Sequence, residues 1–213
     1  TYCNEYLNNE ICINYDATKL AEIRFVRAYN YYLLADFFGN IPFLDHISTT
    51  PGEQKDRKFM FQWIENELLT AEKDMLEAQP KTDSDANYGR ADKAAAWLML
   101  SRLYLNAGVW INEDGANNPY WEQAATYAQK VIEKYPLFKG SNNGYTAYDM
   151  LFMADNGNSD ASQEAVLPLL QDGKVTKGWG GSKFFVAAMW NSTMFNVQGK
   201  SAGTTSNNWS GIR

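Results

Sequence analysis

The sequence of 213 residues predicts a mainly α-helical fold of paired helices that supports an irregular, loop-rich region. Up to about residue 136, apolar residues recur at the three- and four-residue spacing of helices. From about residue 140 the chain becomes rich in glycine, asparagine and serine, which is typical of loops. We therefore expect a helical region over residues 1–136 and a loop-rich region over 137–213, within one fold unit.

The first strong helical pattern runs over Ala17–Phe38. Asp16 is a suitable N-cap, and Gly39 is well placed to end the helix. Four apolar side chains form one stripe and four more lie outside it: Phe25, Tyr29, Tyr32, Leu33, and then Val26, Leu34, Phe37 and Phe38. Because the helix is apolar on more than one side, we expect it to pack between neighbours.

Three further helices are predicted over about 58–78, 91–107 and 120–135. The first of them carries apolar residues at 3,4,3,4 spacing, which indicates a single buried face. Asn118 is a suitable N-cap for the last helix, and Pro136 ends it. We expect the three tryptophans on these helices, Trp63, Trp97 and Trp121, to lie in the core. Trp110 lies just beyond a helix end, and its position is ambiguous.

The last two of these helices have the spacing of a tetratricopeptide repeat. The earlier helix matches the W-x2-L-G-x2-Y pattern with Trp97, Leu100 and Tyr104, and Ser101 takes the place of the small residue. The join between the helices is about eleven residues longer than usual. The first two long helices show only a weak echo of the repeat.

Composition excludes several classes of protein. The net charge is −6, the isoelectric point is near 4.9, and basic residues are not clustered, which argues against a nucleic-acid binder or a polybasic membrane binder. The single histidine, His46, excludes metal sites that need two imidazoles, and a structural role is favoured for it. No apolar run is long enough to span a membrane. Cys3 and Cys12 do not form a zinc-site spacing, and both pairing and free thiols stay open.

Four stretches in order resemble hallmarks of the SusD/RagB family of outer-membrane glycan-binding lipoproteins: residues 21–28 (AEIRFVRA), 37–42 (FFGNIP), 89–95 (GRADKAA) and 102–108 (RLYLNAG). Three later stretches resemble the starch-binding SusD branch of that family: residues 151–156, 163–164 and 171–173. The resemblance covers most of the chain from residue 21 onward. Arg24 and Arg27, in the first stretch, are expected to pair with carboxylates or to bind loop carbonyls.

The resemblance implies tetratricopeptide-like helix pairs and non-catalytic binding of oligo- or polysaccharide, with starch or another α-glucan as the leading ligand. We expect no cofactor and no metal. The resemblance also implies a lipid anchor at the outer-membrane cell surface and delivery of glycan to a SusC-type TonB-dependent transporter. The lipobox of the family is absent here, so we expect this chain to be an internal piece of a longer protein. Membrane contact would then occur only through a lipid outside this chain.

The candidate binding residues lie in the glycine- and asparagine-rich part of the chain. Trp179, flanked by small residues, and Trp209, in a polar run, resemble positions of aromatic residues that stack on glucan in the family. Asn208 is a candidate donor to sugar hydroxyls, although asparagine in such a run is more often a turn former. Trp190 is a further candidate contact, although the apolar residues before it favour core packing.

Other interpretations of the sequence are less favoured. A tetratricopeptide-type adaptor without glycan binding is the main alternative, but the inner-helix positions are mostly apolar. A glycoside hydrolase would need a defined pair of carboxylates, which the neighbouring acids Asp83 and Asp85 do not specify. The acidic loop over 155–160 lacks the glycine of an EF-hand, so a solvated loop is favoured over a calcium site.

Overall fold

The computed structural model describes residues 1–14, 16–112, 117–153 and 156–170. The chain divides into two compact units, Thr1–Pro168 and Leu169–Arg213, and the helices and strands below lie in the first. Two 3₁₀ turns, Asn156–Asn158 and Asp160–Glu164, follow the last helix. The elements in chain order are α1 (Tyr2–Leu7), α2 (Glu10–Ile13), α3 (Ala17–Phe38), β1 (Ile41–Phe43), β2 (Glu53–Lys55), α4 (Arg57–Ala71), α5 (Lys93–Leu105), α6 (Ala107–Asn112), α7 (Trp121–Lys134) and α8 (Ala147–Leu151).

The bounds predicted for α3 are confirmed. The Asp16 carboxylate accepts hydrogen bonds from the backbone amides of Thr18 and Lys19, which satisfies amides that have no partner within the helix. The chain leaves the helix at Gly39, whose φ of 73° is a left-handed conformation that favours glycine. It then enters the antiparallel pair of β1 and β2, in which Pro42 lies opposite Gln54.

The packing of α3 differs from the prediction. Its buried apolar residues repeat at 4,3,4,3 spacing and are Ala21, Phe25, Ala28, Tyr32 and Ala35. The three alanines allow α4 to approach closely. On the other side, Val26, Leu34, Phe37 and Phe38 are exposed, the last two at 72% each. Helix α3 does pack between neighbours, α4 and α1, but neither covers these four residues, so the expectation of a helix enclosed on more than one side is wrong for this face.

The next helices are shorter than the periodicity indicated. Helix α4 ends at Ala71, and turns continue the chain to Met75, which is still buried. Helix α5 begins after its N-cap Asp92. Helix α5 ends at Leu105, before Gly108, and Gly108 lies within a separate short helix, α6, which begins at Ala107. Apolar spacing continues through such breaks, so it could not distinguish one long helix from a helix followed by turns.

The seam between α5 and α7 is formed by small residues and aromatic rings, as the repeat pattern predicts. Ser101 donates a hydrogen bond to the carbonyl of Ala124 at 2.9 Å, so the small residue allows a direct contact between the helices. The Tyr104 and Tyr120 rings stack with centroids 5.3 Å apart. The mainly α fold with tetratricopeptide-like helix pairs is confirmed.

The tryptophans separate into buried and exposed groups. Trp97 is buried and Trp63 is half-buried against the core, as expected. Trp110 is also in the core, where it stacks on Tyr32 with centroids 5.2 Å apart. Trp121, however, is 51% exposed, so its assignment to the core is wrong. It is the first residue of α7, and the preceding residue, Tyr120, occupies the seam instead.

Candidate functional site

The four residues that the sequence analysis assigns to glycan binding, Trp179, Trp190, Asn208 and Trp209, lie outside the described residues. Their role stays a prediction. The boundary between the helical and loop-rich regions at 136/137 also stays a prediction. The structure does describe the helical frame, the first loops after α7 and the aromatic side chains that these loops expose.

One buried network connects the start of the chain to α3 and α4. Arg27 donates to Glu67 at 2.7 Å, and Arg24 donates to the other oxygen of the same carboxylate at 2.8 Å. Arg27 also donates to the side-chain oxygen of Asn4 and to the backbone carbonyl of Asp45. Both predicted roles of the arginines, pairing with a carboxylate and binding a loop carbonyl, are confirmed. The network holds α1 and the loop after β1 against the core.

His46 lies at the exposed end of this loop. Its Nδ1 is 2.9 Å from an oxygen of the Asp45 carboxylate, and both side chains are more than half exposed. The hydrogen bond with His46 lowers the pKa of Asp45 and outweighs partial burial, which acts in the opposite direction. This arrangement satisfies His46 at the surface, in line with a structural role.

A second buried network fixes the loop before α5. The Asp92 carboxylate caps α5 by accepting from the Ala94 amide at 2.9 Å, and its other oxygen accepts from the Lys81 ammonium. The Tyr135 hydroxyl lies 2.5 Å from that second oxygen and 2.6 Å from the carbonyl of Gln79. Burial, together with the hydrogen bond to Asp92, raises the pKa of Tyr135. The network therefore connects the beginning of α5 to the end of α7.

Two hydrogen bonds hold the loops after α7 in place, one within the loops and one to the helical frame. The Phe138 amide donates to the Glu164 carboxylate at 2.7 Å, and Asn158 donates to Asp83 at 2.9 Å. The described part of the loop-rich region is thus connected to itself and to the segment between α4 and α5. Glu164 and Asp83 have structural partners here.

Exposed aromatic rings occur on these loops. Tyr148 and Phe152, one turn apart at α8, are 70% and 73% exposed, and their ring centroids are 5.0 Å apart at an interplanar angle of 50°. Tyr145 is exposed just before them. These residues are not among the binding residues predicted from the sequence. The available signal was an i,i+4 aromatic pair within a polar, glycine- and asparagine-rich stretch.

In the residues that the structure describes, no group of three or more His, Cys, Asp or Glu side chains is arranged to hold a metal ion. The predicted loop over 155–160 lies partly outside these residues, since Asp155 is not described. Cys3 and Cys12 are free thiols. Among the described helices, none is both long and apolar enough to cross a membrane.

The fold is shared with solved SusD-like proteins. A laminarin-binding SusD-like protein superposes with a TM-score of 0.58 at 23% identity over 84% of this chain and 37% of its own. A SusD-like protein from Bacteroides fragilis gives 0.56 at 20% identity over 79% of this chain and 31% of its own. Surface glycan-binding protein A from Bacteroides fluxus gives 0.53 at 25% identity over 73% of this chain and 31% of its own. The chain therefore has a SusD-like fold.

The sequence comparison agrees with the fold. The chain is 41% identical over 194 residues to the starch-binding protein SusD of Bacteroides thetaiotaomicron, and the alignment covers 90% of this chain but 31% of SusD. No family model matches the chain. The predicted resemblance to the SusD/RagB family, and to its SusD branch, is confirmed. The chain spans about a third of the length of the relatives that it matches.

Proposed function

We propose that this chain is part of a non-catalytic protein that binds oligo- or polysaccharide at the cell surface, with starch or another α-glucan as its ligand. The observation that carries the proposal is the 41% identity to a starch-binding protein over 90% of the chain. The shared fold of a surface glycan-binding protein at 25% identity supports carbohydrate as the ligand class.

In this proposal the indoles of Trp179 and Trp209 stack on sugar rings. A pyranose presents faces of C–H groups, which pack against a flat aromatic ring, while its hydroxyls require amide or charged partners. Asn208 supplies such an amide beside Trp209, and Trp190 is a further candidate contact. Aromatic rings contribute large contact areas at little cost in side-chain entropy, which suits extended ligands bound near a surface.

A binding role without catalysis agrees with how the described carboxylates are used. Glu67 and Asp92, which are buried, are held by cations, and Asp92 is also held by backbone amides. Both stabilise the scaffold. The resemblance to SusD further supports a lipid anchor at the outer membrane, outside this chain, and transfer of the glycan to a SusC-type TonB-dependent transporter as the partner.

Affinity electrophoresis of this chain in native gels that contain amylopectin tests the proposal. We expect retardation of the wild type and a loss of affinity of about tenfold or more in the Trp179→Ala, Trp209→Ala double variant. Trp121→Ala is the matched control, because Trp121 is an exposed tryptophan on the helical frame. No reducing sugar should be released from the polysaccharide.

Each part of the proposal has its own contradicting result. Equal retardation of the wild type and the double variant would show that the stacking residues are wrongly assigned. A wild type that is not retarded by amylopectin, but is retarded by laminarin, would contradict the α-glucan ligand and leave glycan binding in place.

A further inference from the structure

We propose that Tyr148 and Phe152 form a second carbohydrate contact, an aromatic platform that stacks on the sugar rings of a neutral glycan. Glycan binding itself rests on the function proposed above. The platform is assigned from its own geometry and is additional to Trp179, Trp190, Asn208 and Trp209.

The platform is exposed to solvent. Both residues are more than two-thirds exposed, although their rings lie side by side. Contact between the rings therefore covers only part of their apolar surface, and the rest stays in water. The angle of 50° between the rings makes an angled rather than a flat surface. Such a surface fits successive rings of a bent chain of sugars.

Local hydrogen bonds restrain the backbone that carries the platform. Thr146 and Asp149 form a reciprocal capping box, with the Thr146 amide donating to the Asp149 carboxylate at 2.9 Å and the Asp149 amide donating to the Thr146 hydroxyl at 3.2 Å. Beyond the helix, the Asn156 side chain donates to the carbonyl of Leu151 at 2.7 Å. Fixing the backbone that carries both rings reduces the ordering cost of binding.

A tight turn, residues 142–145, fixes the backbone that leads into α8. Asn142 and Tyr145 exchange backbone hydrogen bonds across it, and Asn143 and Gly144 both adopt positive φ. Asparagine and glycine are the residues that tolerate this conformation. Tyr145, at the end of the turn, is exposed at the margin of the platform.

The segment that carries the platform is acidic, which favours a neutral occupant. Residues 140–170 contain no lysine, arginine or histidine, but they contain four acidic residues and many amide and hydroxyl side chains. Phosphate, sulfate and carboxylate groups would be repelled here, whereas the hydroxyls of a neutral sugar find donors and acceptors. Two rings are also too little surface for a stable protein partner, which buries about 800 Å² on each side.

Phe37 and Phe38 form a comparable pair that lacks these features. They are equally exposed, at 72% each, with centroids 6.4 Å apart. Their surroundings are different, because the adjacent Gly39 lines a small cavity together with two basic residues, Arg57 and Lys58. This pair therefore provides a control for the loss of two exposed rings.

The test uses affinity electrophoresis of the 213-residue chain in gels that contain amylopectin or laminarin. For the polysaccharide that retards the wild type, we expect Tyr148→Ala, Phe152→Ala to weaken binding about tenfold. Tyr148→Phe keeps the ring and should stay within about twofold of the wild type, and Phe152→Trp, with a larger ring, should bind about two- to threefold more tightly. Phe37→Ala, Phe38→Ala should match the wild type. Retardation should be the same at about 0.05 M and 0.5 M salt, because the ligand is neutral.

The outcomes separate this proposal from the function on which it rests. If the platform double variant binds like the wild type while the Trp179→Ala, Trp209→Ala variant is weakened, the platform is wrong and glycan binding stands. If neither polysaccharide retards the wild type, both proposals are wrong. Equal weakening by the Phe37 and Phe38 control, a loss of binding in Tyr148→Phe, or a loss at high salt would each overturn stacking on a neutral sugar. Thermal unfolding of each variant confirms that it is folded, and Phe152→Trp tests the platform without removing a ring.

Discussion

Replacing Asp92 should destabilise the helical frame more than replacing any exposed acid near it. The Asp92 side chain is fully buried, and the ammonium of Lys81 beside it is almost as buried. Removing one partner of a buried ion pair leaves an uncompensated charge, which costs about 3–5 kcal/mol. Asparagine can still cap α5, so Asp92→Asn removes only the charge. We expect this variant to lose about 3–5 kcal/mol of unfolding free energy.

Asp92→Ala should be worse, because it also removes the cap that binds the Ala94 amide. Loss of an N-cap costs about 1 kcal/mol, so the total becomes about 4–6 kcal/mol. Since a domain of this size has only about 5–15 kcal/mol of stability, this variant should lie near the threshold of folding. Urea unfolding followed by tryptophan fluorescence measures both losses, with midpoints compared at equal slope.

Two further variants test the reasoning. Glu77 pairs with Lys93 nearby, but its side chain is 81% exposed, so Glu77→Gln should change stability by less than about 1 kcal/mol. Lys81→Met combined with Asp92→Asn removes both charges and should be more stable than Asp92→Asn alone by about 2 kcal/mol. A loss below about 1 kcal/mol in Asp92→Asn, or no recovery in the double variant, would refute the assignment of a buried, charged pair.

Two other predictions concern aromatic residues of the frame. Trp110→Ala should lower the unfolding free energy by about 3–5 kcal/mol, because it removes a buried ring that stacks on Tyr32. Trp121→Ala should lower it by less than about 1 kcal/mol in the same urea assay, because Trp121 is exposed. Similar losses in the two variants would contradict this packing. Burial, followed by the hydrogen bonds to carboxylates, raises the pKa of Tyr104 and Tyr135, so both keep their protons in the folded state above pH 10 while the unfolded chain loses them. The stability that they contribute is therefore present below about pH 10 and is lost as the pH rises above it. Absorbance near 295 nm should show that Tyr104 and Tyr135 ionise only when the protein unfolds. Ionisation of these two tyrosines in the folded protein near pH 10 would contradict the prediction.

Local patterns in the sequence predicted a long helix well where residues typical of both its beginning and its end were present. Asp16 and Gly39 bound α3 as expected, because a cap carboxylate and a left-handed glycine act within one turn of the chain. The ends of α4 and α5 were predicted less accurately. Apolar residues continue past Ala71 to Met75, and burial maintains the spacing even where the backbone has left the helix.

The functional surface was only partly accessible to such reasoning. The resemblance led to Trp179 and Trp209, whereas Tyr148 and Phe152 were missed because exposure is a property of the packed chain. An aromatic pair at i,i+4 is equally consistent with a core stripe. Only the position of α8 on the frame shows that these rings face solvent.

The sequence by itself determined the helical class, the two ends of α3 and the resemblance to SusD, since all three depend on the order of residues along the chain. The cap predicted for the last helix was wrong: Asn118 lies before the N-cap, Tyr120, and its side chain donates to the carbonyls of Tyr104 and Leu105 instead. The tertiary structure alone decided which apolar residues are covered and which polar residues meet. Glu67 reaches Arg24 and Arg27, and Asp92 reaches Tyr135, across about 40 residues of sequence. No spacing rule connects residues so far apart. The packing of α3 against α4 and of α5 against α7 brings them together, and the same packing leaves Phe37, Phe38 and the aromatic platform exposed.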